Sequence, residues 1–371
     1  MQRRELLQTV GLTSLGLPVY GQPDTELSLK VAAQRSGREV GFAVEPVSAR
    51  VAPTASLLAQ HAGVITAENA MKWRSIENVF GKPDYGRSDA VAAIASSLKA
   101  KLRGHTLAWH AMVPLRLLNA SPDEFQKAQS AHATAFTQRY AGRIHTWDVL
   151  NEVVNPDDKR SDGLRESILS KLWGSDRYPV LFELAREADP QAKLAYNDYG
   201  MEQDEPWSER RRTATLRLLE QWVKRKTPFD VLGMQAHLNL ARRFSSKKLL
   251  NFFDEVRAMG LTIQITELDV RDADAPGDIA ARDAASAALY QDFVQTCVSH
   301  PAVEMIVMWN VTDAHSWINR DPNAKKRLDG EPMRPTLFDV QGQTKPAFTS
   351  MLKSLHSAST RFDTKDVARV S

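Results

Sequence analysis

Eight short β-rich runs, each followed by a helical pattern, constrain this chain more than any other feature of its sequence. The runs cover residues 39–45, 63–69, 102–110, 145–152, 193–200, 231–239, 261–270 and 303–311, and their starts lie about 38 residues apart on average. The run at 261–270 begins with apolar, β-branched residues, as a strand buried on both faces requires. The intervening stretches carry helix signals. Ser121-Pro122-Asp123-Glu124 is a capping box with proline at the first helical position and opens a helix running towards Tyr140. Residues 208–226 and 278–299 have helical periodicity, Gly260 suits a helix C-terminus, and a last helix is expected over 345–355. Regular βα alternation over residues 38–357, with no linker or shift in composition, predicts one domain: an α/β fold of the (β/α)8 TIM-barrel type. A doubly wound open sheet is the alternative. It normally carries a glycine-rich phosphate loop, and neither GxGxxG nor GxxxxGK[ST] occurs.

Charge excludes some partners. The 48 basic and 45 acidic residues leave a formal net charge of +3, and the basic runs Arg210-Arg211-Arg212, Lys224-Arg225-Lys226 and Lys325-Lys326-Arg327 are scattered. They read as solvated faces, so no nucleic-acid partner is expected. No apolar run approaches the ~20 residues of a membrane span. Cys297 is the single cysteine and cannot form an intrachain disulfide. Residues 1–22, with Arg3-Arg4 ahead of a mildly apolar stretch and Val19-Tyr20-Gly21 at a cleavable spacing, resemble a bacterial twin-arginine export signal, which implies a secreted or periplasmic protein. The polar stretch 358–371 reads as a C-terminal tail. A monomer is expected.

In a (β/α)8 barrel, chemistry sits at the C-terminal ends of the strands. Here those ends carry Glu68-Asn69 with Lys72 beyond, then His105 and Trp109, Asn151-Glu152, Asn197-Asp198-Tyr199, Gln235 and His237, Glu267 and Asp269, and Trp309. Glu267 and Asp269, two apart on a strand, share a face. A buried acid is costly unless partnered, so Glu267 is either a satisfied structural acid or a catalytic one. Polar and aromatic groups at seven strand ends favour the catalytic reading. Two carboxylates, Glu152 and Glu267, are what glycoside hydrolysis needs: one protonates the departing oxygen, the other attacks or stabilises the sugar carbon. A separation of about 5 Å would make the enzyme retaining, and mutual repulsion would keep one acid protonated. Spacing alone does not assign the two roles. No metal or other cofactor is expected. His105 and His110 fall on opposite faces of a continuous strand, and there is no HExxH. A serine-hydrolase GxSxG elbow is also absent. His237 suits a hydrogen bond to Glu267 better than a metal.

The motifs, taken in order, resemble glycoside hydrolase family 10, the retaining endo-1,4-β-xylanases. They are Ile65-Thr66-Ala67-Glu68-Asn69-Ala70-Met71-Lys72-Trp73, Gly104-His105-Thr106-Leu107-Ala108-Trp109-His110, Trp147-Asp148-Val149-Leu150-Asn151-Glu152 and Tyr196-Asn197-Asp198-Tyr199. They continue with Gln235-Ala236-His237-Leu238, Ile265-Thr266-Glu267-Leu268-Asp269, Trp309 with Asp313 and Trp317, and Pro335-Thr336-Leu337-Phe338-Asp339. The resemblance implies a xylan or xylo-oligosaccharide substrate, Glu152 as acid/base and Glu267 as nucleophile. It further implies that Asn151 bonds the 2-hydroxyl of the −1 sugar and that His237, with Asp269 and Gln235, supports Glu267. Lys72 and His105 would hold the −1 sugar, and Glu68 and Asn69 the −2 sugar. Trp309 and a loop-borne Trp317 would wall the cleft, with Trp109 and Tyr199 as further contacts.

Three departures from that pattern stand out. Met112 replaces a usual glutamine, Gly200 a common asparagine, and the loop 320–334 is long and basic. The loop is expected to add a positive wall favouring glucuronic-acid-decorated xylan. The alternatives to a xylanase are the same machinery on another β-1,4-glycan, such as cellulose or aryl β-glycosides, and a non-catalytic carbohydrate-binding barrel.

Overall fold

The computed structural model describes residues 28–77, 82–275, 277–322 and 324–367; the leader at 1–22 and the last four residues of the expected tail lie outside them. A short helix, α1 (Leu29–Arg35), precedes the first strand and packs on the last helix, so the folded unit begins ahead of residue 38. The strands are β1 (Glu39–Val44), β2 (Val64–Ala67), β3 (Lys101–Trp109), β4 (Thr146–Asn151), β5 (Lys193–Asp198), β6 (Val231–Met234), β7 (His237–Asn239), β8 (Thr262–Arg271) and β9 (Val303–Trp309). All pairings between them are parallel. The order β6-β5-β4-β3-β2-β1-β9-β8 is closed by the β6–β8 pairing, which makes an eight-stranded barrel. The short β7 continues β6 beyond Gln235 and Ala236 and pairs only with β8.

The sixth expected strand is therefore two segments. Ala236 has φ +64°, a left-handed conformation that interrupts the ladder. The outer layer is α2 (Thr54–His61), α4 (Gly86–Ser97), α5 (Pro122–Arg139), α6 (Tyr178–Ala188), α7 (Pro206–Lys224), α8 (Ser246–Ala258), α9 (Ile279–Ser299) and α11 (Pro346–Val367). Two short turns, α3 (Trp73–Ile76) and α10 (Trp317–Arg320), lie at the mouth. Ser121 caps α5 by accepting from the Glu124 amide, and Asp278 caps α9 through the Ala281 amide. Gly260, at φ +83°, ends α8 in the left-handed conformation that glycine tolerates. Helix α11 runs past the expected limit of 355, so much of the stretch taken for a tail is helical. Trp317 opens α10 and is not in a loop.

The barrel interior is partly polar. Arg103 is wholly buried and donates two hydrogen bonds to Asp148 (2.9 and 2.7 Å) and one to Gln264 (2.7 Å). Asp148 also pairs with His105 Nδ1 at 2.9 Å. This ionic layer forms a rigid floor beneath the mouth.

Candidate active site

Three non-glycine residues at the C-terminal rim adopt left-handed backbone conformations: Glu152 (φ +57°), Ala236 (φ +64°) and Asn310 (φ +82°). Each costs of order 1–3 kcal/mol and persists only where neighbours hold it, a pattern typical of functional sites. The neighbours are visible. The Glu152 amide donates to the Asn197 carbonyl (2.9 Å), the Ala236 amide to Glu202 (2.9 Å), and the Asn310 side chain to Glu68 (2.7 Å).

The rim encloses a cavity of about 440 Å³, within the usual range for small-ligand sites. Its wall includes Lys72, His105, Trp109, Glu152, Tyr199, Gln235, His237, Glu267, Trp309 and Trp317. Strand β4 delivers Glu152 and β8 delivers Glu267. Glu152 accepts from Gln235 (3.0 Å) and Asn151 (3.2 Å) on one oxygen and from the Trp109 indole (2.9 Å) on the other. Glu267 accepts from Asn197 (3.0 Å) and bonds His237 Nε2 (3.2 Å). Asn197 also donates to Asn151 (2.9 Å) and accepts from Thr266 (2.7 Å), so one amide ties the two acids' supports together. A Cβ at Gly233 would lie 2.3 Å from the Asn197 oxygen, so only glycine on β6 leaves room for that amide.

The two acids are driven apart in acidity. Burial raises the Glu152 pKa, Asp198 and Glu267 add to the rise, and the Gln235 and Trp109 hydrogen bonds oppose it. Burial would raise Glu267 too, but the His237 hydrogen bond and the charges of His105, His237 and Lys72 bring it below the ordinary carboxylate value. His237 lies between two carboxylates, with Nδ1 3.0 Å from Asp269 and Nε2 3.2 Å from Glu267. Burial would lower its pKa, but Asp269 and Glu267 raise it to about 10, which makes it an imidazolium donating to both. The other Asp269 oxygen accepts from the Trp317 indole at 2.7 Å. Lys72 lies over the Trp109 and Trp309 rings, 4.8 and 5.7 Å from their centroids.

Four expected contact residues do not line this cavity. Asn151 and Asp269 are fully buried and act on Glu152, Asn197, His237 and Trp317. Asn69 bonds Glu45 and Lys72, and both Glu68 oxygens are engaged, by Arg320 (2.6 Å) and Asn310. Met112 is not on the wall. Gly200 lies on it, and a Cβ there would come 2.3 Å from the Trp207 ring; the missing side chain is what lets Trp207 approach.

The basic loop does not form a free positive wall. Arg320 pairs with Glu68, Lys325 with Asp274, Arg327 with Asp329 and the Asp272 carbonyl, and Arg334 with Asp283; Lys326 donates to the Asp321 carbonyl. Those pairings hold the loop in shape. Residues not anticipated on the wall are Glu202, Gln203, Trp207, Ser208, Asn239, Arg242 and Arg271. Arg271 was within reach of sequence reasoning, since it is two past Asp269 on the same strand face. Among the described residues, no group of three or more His, Cys, Asp or Glu side chains is placed to hold a metal ion.

Comparison with known proteins agrees with this architecture. The profile of "Glycosyl hydrolase family 10" matches residues 28–354. The chain is 29% identical over 300 residues to endo-1,4-beta-xylanase 3 of Hypocrea jecorina, covering 80% of this chain and 77% of that protein. It is 30% identical over 311 residues to endo-1,4-beta-xylanase A of Caldicellulosiruptor saccharolyticus, covering 80% and 87%. A solved GH10 structure from Paenibacillus barcinonensis superposes with a TM-score of 0.76 at 28% identity, covering 86% of this chain and 96% of that one. With the paired acids at the barrel mouth, these matches show that the chain belongs to glycosyl hydrolase family 10.

Proposed function

We propose that the chain is a retaining endo-1,4-β-xylanase in which Glu152 is the acid/base and Glu267 the nucleophile. The observation that carries this reading is the placement of the two acids on one cavity wall, Glu152 held by Gln235 and Trp109 and Glu267 by His237 and Asn197. In the first step Glu152 gives its proton to the glycosidic oxygen as a Glu267 oxygen bonds to the anomeric carbon. The carbon–oxygen bond to the leaving sugar breaks, and a glycosyl ester remains on Glu267. Esterification removes the Glu267 charge and with it the repulsion that helps hold Glu152 protonated. The Glu152 pKa falls, and the group can take a proton from the water that attacks the same carbon. Water adds, Glu267 leaves as carboxylate, and Glu152 regains its proton. Xylan as substrate is supported by the relatives named above and by Trp309 and Trp317, which offer flat apolar faces beside the reacting acids. Trp317, pinned through its indole N–H, would crowd the hydroxymethyl group of a hexose.

Replacing each acid tests the assignment. Glu152→Ala should lose about 10²–10⁴-fold on xylan yet form the glycosyl ester readily from an aryl xyloside with a good leaving group, and azide should restore its turnover. Glu267→Ala should lose turnover on every substrate. Equal loss in both variants without azide rescue would reverse the reading, and faster hydrolysis of carboxymethyl-cellulose than of xylan would reject the substrate. The leader reading adds export of a monomeric enzyme through a twin-arginine signal; N-terminal sequencing of the extracytoplasmic protein checks it.

A further inference from the structure

Beyond Met234 the chain of the sixth strand loses its neighbour. The last register pair between β5 and β6 is Asp198 with Met234, and the Gln235 amide still donates to the Asp198 carbonyl at 3.0 Å. Among the described residues, β7 then pairs only with β8. On its open side, two side chains of the loop after β5 stand in for a strand. Glu202 Oε1 accepts from the Ala236 amide (2.9 Å) and from the Gly200 amide (3.1 Å). Gln203 accepts from the Asn239 amide (2.9 Å) and donates to the carbonyls of Asn239 (2.9 Å) and Arg242 (3.2 Å). Arg212 of α7 fixes the loop itself, donating to the carbonyls of Met201 (2.7 Å) and Gln203 (3.1 Å), on either side of Glu202. Glu202, Gln203 and Arg212 are all buried, and a buried network with its members satisfied is rigid.

The residues held in this way act on both acids. Ala236, at φ +64°, sits between Gln235, which donates to Glu152, and His237, which bonds Glu267. Left-handed backbone is costly for a residue with a Cβ, so an alanine leaves it when nothing holds it there. The bond from the Ala236 amide to Glu202 therefore sets the directions in which the two flanking side chains leave the backbone. We infer that Glu202 is a positioning residue: by holding the Ala236 turn it aims Gln235 at Glu152 and His237 at Glu267 at the same time. His237 on β7 and Arg211 on α7 bear on Glu202 by their charge, and Arg212 lies beside it on the same helix. A rival role for Glu202 is thus that of a charge alone, and the two roles differ in what they predict.

The inference rests on the acid assignments proposed above, and the pH profile of kcat/KM on unbranched xylopentaose tests it in the full-length protein. The Gln235 bond lowers the Glu152 pKa and the His237 bond lowers that of Glu267, so weakening both moves both limbs to higher pH. Glu202→Asp keeps the charge but draws the oxygen back from the Ala236 amide. Both limbs should then rise by about one unit, the effect of one hydrogen bond to a charged group. Glu202→Gln removes the charge but keeps an oxygen in place, and should leave both limbs near their wild-type positions. A charge role gives the reverse pattern, with Asp silent and Gln lowering both limbs, because a nearby negative charge raises carboxyl pKa values. Glycine takes left-handed backbone without strain, so adding Ala236→Gly to Glu202→Asp should return most of the shift. Unmoved limbs in Glu202→Asp, displaced limbs in Glu202→Gln, or no recovery in the double variant overturns the inference. If Glu202→Asp does not fold, the double variant is read in its place. Folding with limbs near wild type supports the inference, and failure to fold overturns it, since the turn would not be what Glu202 holds. A wild type inactive on xylopentaose overturns the xylanase reading, and the inference falls with it.

Discussion

His237 carries its charge between Asp269 and Glu267, and the acidity of the proposed nucleophile depends on it. The form suited to the reaction has Glu267 ionised and Glu152 protonated. Activity should therefore span a window bounded on the acid side by the lowered Glu267 pKa and on the alkaline side by the raised Glu152 pKa. Replacing His237 by Asn removes the imidazolium while burial still pushes Glu267 up, so the acid limb of the kcat/KM profile should move to higher pH by about 1–3 units. The alkaline limb should move less; an unshifted acid limb would remove His237 from this role. Glu152, Glu267 and the His237 partnership were legible in the sequence, because acids at strand ends demand partners. Asn197 was visible only as a motif letter. Its bond to Glu267 depends on the lateral spacing of β5 and β8 and on the space left by Gly233, neither of which a single sequence displays.

At the scale of elements, β3 and β4 are bound by more than their ladder. Burial alone would raise the Asp148 pKa, but Arg103 and His105 outweigh it and hold the group below its ordinary value. A depressed folded-state pKa stabilises fully above the unfolded value, about 3.9, and the contribution fades as pH falls through the folded value. Asp148→Asn leaves the wholly buried Arg103 without a counter-charge and should cost roughly 3–5 kcal/mol. Urea unfolding at neutral pH measures this, and a loss under about 1 kcal/mol would mean that the pair behaves like an exposed one. The strands themselves were readable to within a residue or two, since buried parallel strands appear as apolar runs. The break between β6 and β7 was not, because Ala236 carries no sign of the left-handed turn that the surrounding bonds enforce. The basic loop misled for a similar reason: Lys325 is neutralised by Asp274, which lies far back in the chain.

Across the whole molecule, Cys297 offers a reporter of closure. It lies fully buried in α9, and burial raises its thiol pKa. Reaction with a thiol reagent such as Ellman's should be negligible in the folded protein and should rise to one thiol per chain along the unfolding transition; rapid labelling under native conditions would contradict the packing. The barrel as a whole was the most legible level, because eight alternating units leave few ways to bury every strand. The mouth was less so, since its geometry comes from loops meeting across the barrel. One meeting point there has a consequence for divergence. Asp269 holds the Trp317 indole with one oxygen and the His237 imidazolium with the other. On the proposed reading, a lineage that exchanged Trp317 to admit a bulkier sugar would strip a donor from Asp269, strengthen its pull on the imidazolium, and so retune Glu267 through a fully buried residue. A change of diet and a change of working pH would then be inherited together.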